Sequence, residues 1–186
     1  MLIIEGSDLV GKTTLIKAIC DEAITRDFPM IPQHFGLLPD NWDFDKGYHD
    51  YISKRTVMDR FVLSEVVYGE TLRSGSRIDE AGFYKLQYNM YKTAVSPAMT
   101  VIIAAAPDFF KEHVHKQMQE RVEVFKEEQI CEVNDAFLKI MQTRQLGRFQ
   151  IEYDIAREIH NDRDFPSSDP EFVNEIVETY LKLQGV

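Results

Sequence analysis

The chain has 186 residues, 44% hydrophobic and 28% charged, a length and balance that predict one compact domain and exclude disordered, collagenous and membrane-spanning classes. Its 21 Lys and Arg stand against 31 Asp and Glu, a formal charge of −10, so nucleic acid is not an expected partner, because phosphate neutralisation supplies most of that affinity. Two cysteines, and an apolar N-terminus that is short and lacks a basic lead, predict a reduced, cytoplasmic protein with no signal peptide, membrane partner or disulfide framework.

The apolar run 2–4, stopped by Gly6, predicts a buried strand. From Thr13 onward, Leu15, Ile16, Ile19, Ala23 and Ile24 recur at helical spacing and predict an amphipathic helix ending near Phe28-Pro29. Residues 29–51 carry three prolines, two glycines and little periodicity, and predict loops and short elements. Residues 56–58 predict a second strand ending on Asp59. Helical patterns follow over 61–72 and 79–94, the latter on Phe83, Leu86, Tyr88, Met90 and Tyr91, with a Ser74-Gly75-Ser76 turn between them. Residues 100–104 form the strongest strand signal, closed by Pro107. The charged stretch 108–141 predicts two helices with a join. Residues 151–159 suit helix or strand equally, and Asp169-Pro170 caps a last helix. Alternating strands and helices predict an α/β fold with parallel strands joined by crossover helices.

Gly6-Ser7-Asp8-Leu9-Val10-Gly11-Lys12-Thr13 matches G-x-x-x-x-G-K-[ST] between strand and helix. In such a loop the backbone N–H groups cradle phosphates, Lys12 offsets charge on the outer phosphates, and the Thr13 hydroxyl binds Mg²⁺. ATP and Mg²⁺ are therefore the expected cofactors, and the expected fold is a three-layer P-loop NTPase sandwich with a central parallel sheet of about five strands. No N-K-x-D for guanine follows, and the best strand does not end on an acidic pair, so neither a GTPase switch nor a motor-type ATPase is supported.

Three segments together resemble the thymidylate kinases, within the nucleoside-monophosphate kinases. Glu5-Gly6-Ser7-Asp8 through Lys12-Thr13-Thr14 is similar to their phosphate loop, including its acidic residue. Asp59-Arg60-Phe61-Val62-Leu63-Ser64 through Tyr68-Gly69, followed by Arg73, resembles their Asp-Arg segment. Glu120-Arg121-Val122-Glu123 resembles the region after their lid. The resemblance implies a single kinase domain over 1–186, with a lid-like segment about 108–128, that transfers the ATP γ-phosphoryl group to a deoxynucleoside monophosphate, thymidylate-like or a modified pyrimidine. It implies residues 6–14 for ATP, Asp8 near the sugar 3′-hydroxyl, and Arg60 on the acceptor phosphate. It also implies Ser64, Tyr68 and Arg73 for substrate, Asp59 with Thr13 for Mg²⁺, Arg121 over the transferring group, and a homodimer.

Departures from that family lie on the acceptor side: Gly69 stands where a Gln is expected, and residues 104–105 are Ala-Ala where Leu-Asp is usual. A deoxynucleoside kinase with Glu5 as base, and a non-catalytic nucleotide-binding protein, remain alternatives. Trp42, Phe44, Tyr48 and Tyr51 suit either a base-stacking platform or a packed subdomain. His113 and His115 fit a solvated helix face better than a metal pair, and Arg144 and Arg148 share a face if their helix continues.

Overall fold

A computed structural model describes residues 1–36, 38–39, 41–44, 53–92, 97–119 and 124–186. Its elements in chain order are β1 (Leu2–Glu5), α1 (Lys12–Thr25), β2 (Ile31–His34), β3 (Thr56–Asp59), α2 (Val62–Leu72), α3 (Glu80–Lys92) and β4 (Met99–Ala105). Then come α4 (Pro107–Met118), α5 (Glu127–Thr143), the short hairpin β5 (Gln145–Leu146) and β6 (Phe149–Gln150), β7 (Ile155–Ile159) and α6 (Pro170–Gln184). Five strands form one parallel sheet in the order β2-β3-β1-β4-β7.

Strand alternation builds two cores from this one sheet. Leu2, Ile4, Val57, Val101 and Ile103 face one way and meet Leu15 and Ile19 of α1, Phe110 of α4 and Tyr180 of α6. Ile3, Met58 and Ile102 face the other way, onto Val66 of α2, Phe83 of α3 and Phe137 of α5. Each such side chain stabilises the fold by about 1.5–3 kcal/mol on burial. The helix after β1 thus covers one face and the helix after β3 the other. Connections that leave neighbouring strands on opposite faces open a crevice at their carboxyl ends, where ligands bind in open parallel sheets.

Local chemistry explains most boundaries. Asp169 Oδ1 accepts from the N–H groups of Glu171 and Phe172, both at 3.1 Å, with Pro170 in the first turn. Asp79 Oδ1 accepts from Gly82 N–H at 2.7 Å and starts α3. The best strand ends on Ala105 because a fully buried amide holds it: Asn134 Nδ2 donates to Ala105 O at 2.7 Å while its Oδ1 accepts from Ala105 N–H at 2.9 Å. Asn134→Ala strands both buried backbone groups, and a loss of about 1–3 kcal/mol is expected in urea unfolding. A loss under about 0.5 kcal/mol, the range of ordinary surface substitutions, would show that this pair does not hold the strand.

The structure decides several sequence expectations; Ile24 of α1, for one, is exposed rather than core. Residues 29–51 contain a strand, β2, which lacks an apolar signature because it is a mostly exposed outer strand carrying Pro32. Residues 151–159 resolve into loop and strand: Ile155–Ile159 pairs with β4, and its half-buried side chains blur the alternation. The helix before Arg144 stops there in left-handed backbone (φ 54), so Arg144 and Arg148 do not share a helix face. Instead they lie over the rings of Tyr153 and Phe149. Tyr88 of α3 is exposed rather than core. Among the described residues no helix is long and apolar enough to cross a membrane.

Candidate functional site

The loop from Gly6 to Thr13 leaves β1 at the carboxyl edge of the sheet and runs into α1. Gly6 holds φ +156, and a Cβ there would collide with the carbonyl oxygen of Ile103, so only glycine lets the loop lie this close to β4. Leu9 holds left-handed backbone (φ 62) without being glycine, a strain that loops at functional sites carry. Ser7 and Val10 are buried, Ser7 donating its hydroxyl to Asp8 O at 3.1 Å. Lys12 folds back over the loop, its Nζ donating to Ser7 O at 2.6 Å. Burial foremost, and then the neighbouring Arg60 charge, lower the Lys12 ammonium to about 8. Phosphate oxygens beside it would restore its full charge.

Beside this loop, β3 ends in Asp59 and Arg60. Thr13 Oγ1 donates to Asp59 Oδ2 at 2.9 Å, and His34, ending β2, places Nδ1 3.1 Å from the same oxygen. Asp59 is buried, and its other oxygen, Oδ1, has no hydrogen-bond partner. A buried orphan carboxylate oxygen next to a hydroxyl is an oxygen-only donor set. It fits Mg²⁺, which needs one or two protein ligands beyond phosphates and water. Lys12, Thr13, Thr14, Asp59 and Arg60 line an open cleft of about 430 Å³. Residues the sequence did not single out complete it: Gln117 and, from the loop after β7, Asp162, Phe165, Ser167 and Ser168. His113 also lines it, packed against Phe109 and Phe165.

A second, smaller cavity of about 110 Å³ lies on the other side of Arg60, lined by Phe35, Phe61, Ser64, Glu65, Tyr68 and Phe125 among others. Arg60 lines both spaces. Its backbone is left-handed (φ 71), set by Arg60 N–H donating to Ile4 O at 3.0 Å. Its guanidinium lies over the Tyr68 ring at 5.0 Å and donates from Nη2 to Asp8 Oδ1, while its buried Nε has no partner. Tyr68 donates its hydroxyl to Asp8 Oδ2 at 2.8 Å and accepts from Asp8 N–H at 3.1 Å. Burial pushes the Tyr68 phenol far above its ordinary value, so it stays a proton donor.

The floor of that cavity is ionic. Glu65, almost fully buried, accepts from Arg73 Nη2 at 2.5 Å and from Arg77 Nε and Nη2 at 3.0 and 2.8 Å. Burial works against its charge, but the two arginines hold it below the usual carboxylate range. Arg77 also donates to the carbonyls of Leu38 and Pro39, tying the segment over the cavity to α2. Gly69 faces away from the cavity: a Cβ there would lie 2.5 Å from Ser76 Cα, so it admits the turn that delivers Arg73 and Arg77. Trp42 and Phe44 pack around the cavity, against Phe35 and Arg77, rather than lining it.

Ser64 and Glu5 form a separate buried pair. Ser64 lines the cavity wall but donates its hydroxyl to Glu5 Oε2, while Glu5 Oε1 accepts from Phe61 N–H at 2.9 Å and Ser64 N–H at 3.4 Å. Glu5 thus caps α2 and lines neither the cleft nor the cavity beside Arg60. Burial drives its carboxyl up to about 7 from 4.5, against the opposing hydrogen bonds. Because the folded state holds this proton more tightly, its stabilising contribution is full below about 4.5 and lost as pH rises through about 7. Glu5→Gln removes the charge and keeps the acceptor. It is expected to gain on the parent progressively from about pH 5 to 8, reaching on the order of 2 kcal/mol, in urea melts at each pH. A pH-independent difference would show that Glu5 does not titrate there.

Tyr48, Tyr51 and Arg121, with Glu120, Val122 and Glu123, lie outside the described residues. Of the expected lid-like segment, α4 contributes His113 and Gln117 to the cleft, and Phe125 meets the Tyr68 ring at 5.5 Å. His115 pairs with Glu127 at 3.1 Å, and the described residues hold no group of three or more His, Cys, Asp or Glu suited to a metal.

Sheet order and the strand–loop–helix at Gly6 to Thr13 define a P-loop α/β fold. Among solved structures, the YorR protein of Bacillus subtilis, in complex with phosphorylated GDP, is similar in fold at a TM-score of 0.64. The match spans 98% of this chain and 96% of that chain at 19% identity. A deoxyadenosine kinase from M. mycoides with dCMP and dCDP bound matches more distantly, at a TM-score of 0.44 and 12% identity, over 100% of this chain and 99% of that chain. No family model matches the sequence, and no curated protein does.

Proposed function

We propose that the protein is an ATP-dependent kinase acting on a deoxynucleoside monophosphate, thymidylate-like or a modified pyrimidine, as one catalytic domain. The observation that carries this reading is Arg60, the side chain common to the phosphate-loop cleft and the apolar cavity. A planar cation on that shared wall suits an acceptor phosphate oxygen held in line with a donor phosphate. Lys12 and the loop N–H groups hold the donor phosphates, and Thr13 and Asp59 hold the metal. Mg²⁺, when bound, neutralises charge on the transferring group; positioning is the protein's part. Arg121 is assigned to the same charge from the lid side by resemblance. YorR holds a phosphorylated guanine nucleotide, and occupancy by nucleotide phosphates is carried over to this chain as part of the proposal.

A nucleoside acceptor would need a carboxylate base for its 5′-hydroxyl. Glu5 is buried under α2 and lines neither space, Glu65 is committed to Arg73 and Arg77, Asp8 is held by Arg60 and Tyr68, and Asp59 lines the phosphate-loop cleft and not the cavity. Among the described residues the cavity therefore supports a phosphate acceptor, which needs no base. Incubation with Mg²⁺, ATP and each deoxynucleoside or its monophosphate, with products resolved by anion exchange, tests the reading. Diphosphate formation from a monophosphate supports it. Monophosphate formation from a nucleoside assigns the alternative kinase, and no product with any acceptor removes both.

A further inference from the structure

Both oxygens of the Asp8 carboxylate are spoken for: Arg60 Nη2 donates to Oδ1, and the Tyr68 hydroxyl donates to Oδ2 at 2.8 Å. Tyr68 also accepts from the Asp8 N–H at 3.1 Å and lies against the Arg60 guanidinium, 5.0 Å from ring centroid to Cζ. Three chain segments, the phosphate loop, the end of β3 and the middle of α2, thus close on one another at the wall between the two spaces. The cation expected to grip an acceptor phosphate already holds an anion.

We infer that Asp8 is a specificity-determining latch, holding Arg60 against Tyr68 until a phosphate dianion displaces it. This inference rests on the kinase reading above and states how that site selects a phosphorylated acceptor. A neutral 5′-hydroxyl offers the guanidinium nothing stronger than the carboxylate it holds, so a nucleoside leaves the pair closed. A dianion exchanges one charge-assisted bond for another. The exchange does not orphan Asp8, because the Tyr68 hydroxyl and water at this partly exposed carboxylate remain as donors. It also frees one Asp8 oxygen beside the acceptor, while the unpartnered Arg60 Nε is a donor held in reserve on the same fork.

The two residues of the latch then act with opposite sign. Asp8→Asn keeps an oxygen for the Tyr68 hydroxyl and removes the competing charge. Deoxyribose 5-phosphate is expected to bind about tenfold more tightly than to the parent, the lower end of what a charge-assisted bond contributes. Tyr68→Phe leaves Asp8 with Arg60 as its remaining side-chain partner, and the same probe is expected to bind several-fold more weakly. Binding is read by calorimetry with Mg²⁺ and ADP saturating the cleft, and the unphosphorylated deoxynucleoside serves as the comparison, expected to change by less than about twofold. General loosening of the site would move both variants the same way. Asp8→Asn binding the probe no more tightly than the parent, or Tyr68→Phe binding it equally well, overturns the latch. The outcomes separate from those of the kinase reading. If the parent phosphorylates a monophosphate yet Asp8→Asn gains no affinity, the latch alone falls. If the gain appears but no acceptor is phosphorylated, the latch stands and the kinase reading falls.

Discussion

Replacing Lys12 by alanine is expected to lower kcat for phosphoryl transfer by at least about 10²- to 10³-fold, the cost of deleting one preorganised stabiliser of transition-state charge. Lys12 is the one lysine lining the phosphate-loop cleft among the described residues, is almost fully buried, and donates back into its own loop through Ser7 O. Burial makes it effective. A cation with little water around it acts on developing charge at low local dielectric, and its depressed value shows how much a phosphate partner would relieve it. Steady-state turnover with the monophosphate that the acceptor screen identifies, alongside an unfolding curve to confirm that the variant folds, measures the effect. A variant keeping more than a few per cent of parental turnover would remove Lys12 from the mechanism.

Arg60→Lys is expected to lower kcat/KM for the monophosphate by about ten- to 150-fold, corresponding to one charge-assisted bond of about 1.5–3 kcal/mol, with ATP affinity nearly unchanged. Lysine keeps the charge but lacks the planar fork. It also cannot lie flat on Tyr68 while reaching Asp8, as the guanidinium does. The split between acceptor and donor carries the meaning. Arg60 faces both spaces, so an equal loss of ATP affinity would place its main work on the donor side, and no loss in either would make it a structural residue of the β3 end.

The phosphate-loop half of the candidate site was legible in the sequence because its pattern is local. A strand, a glycine-bounded loop and a helix start within 13 consecutive residues place Lys12 and Thr13 without reference to the rest of the chain. The Asp59-Arg60 pair is equally local to one strand end. The last helix was legible for the same reason, since Asp169 caps N–H groups only two and three residues away. The cavity beside Arg60 was not. Phe35, Glu65, Arg77 and Phe125 come from four separate stretches, and none carries a signature that distinguishes a cavity wall from ordinary core or surface.

By itself, then, the sequence determined the phosphate-binding loop, the parallel α/β architecture and the residues at two strand ends. These depend on backbone turns, caps and side-chain periodicity over a few residues. Only the tertiary structure decided that Glu5 is a buried cap on α2 lining neither space, and that Gly69 admits a turn. It alone shows that β2 is a strand despite its exposed, proline-bearing face, and that Asp8, Arg60 and Tyr68 close on one another. Apart from the Gly69 turn, which is local, these turn on groups that meet across 25 or more residues of chain. Burial and charge pairing at such distances follow from how the helices pack on the sheet, which no local pattern encodes.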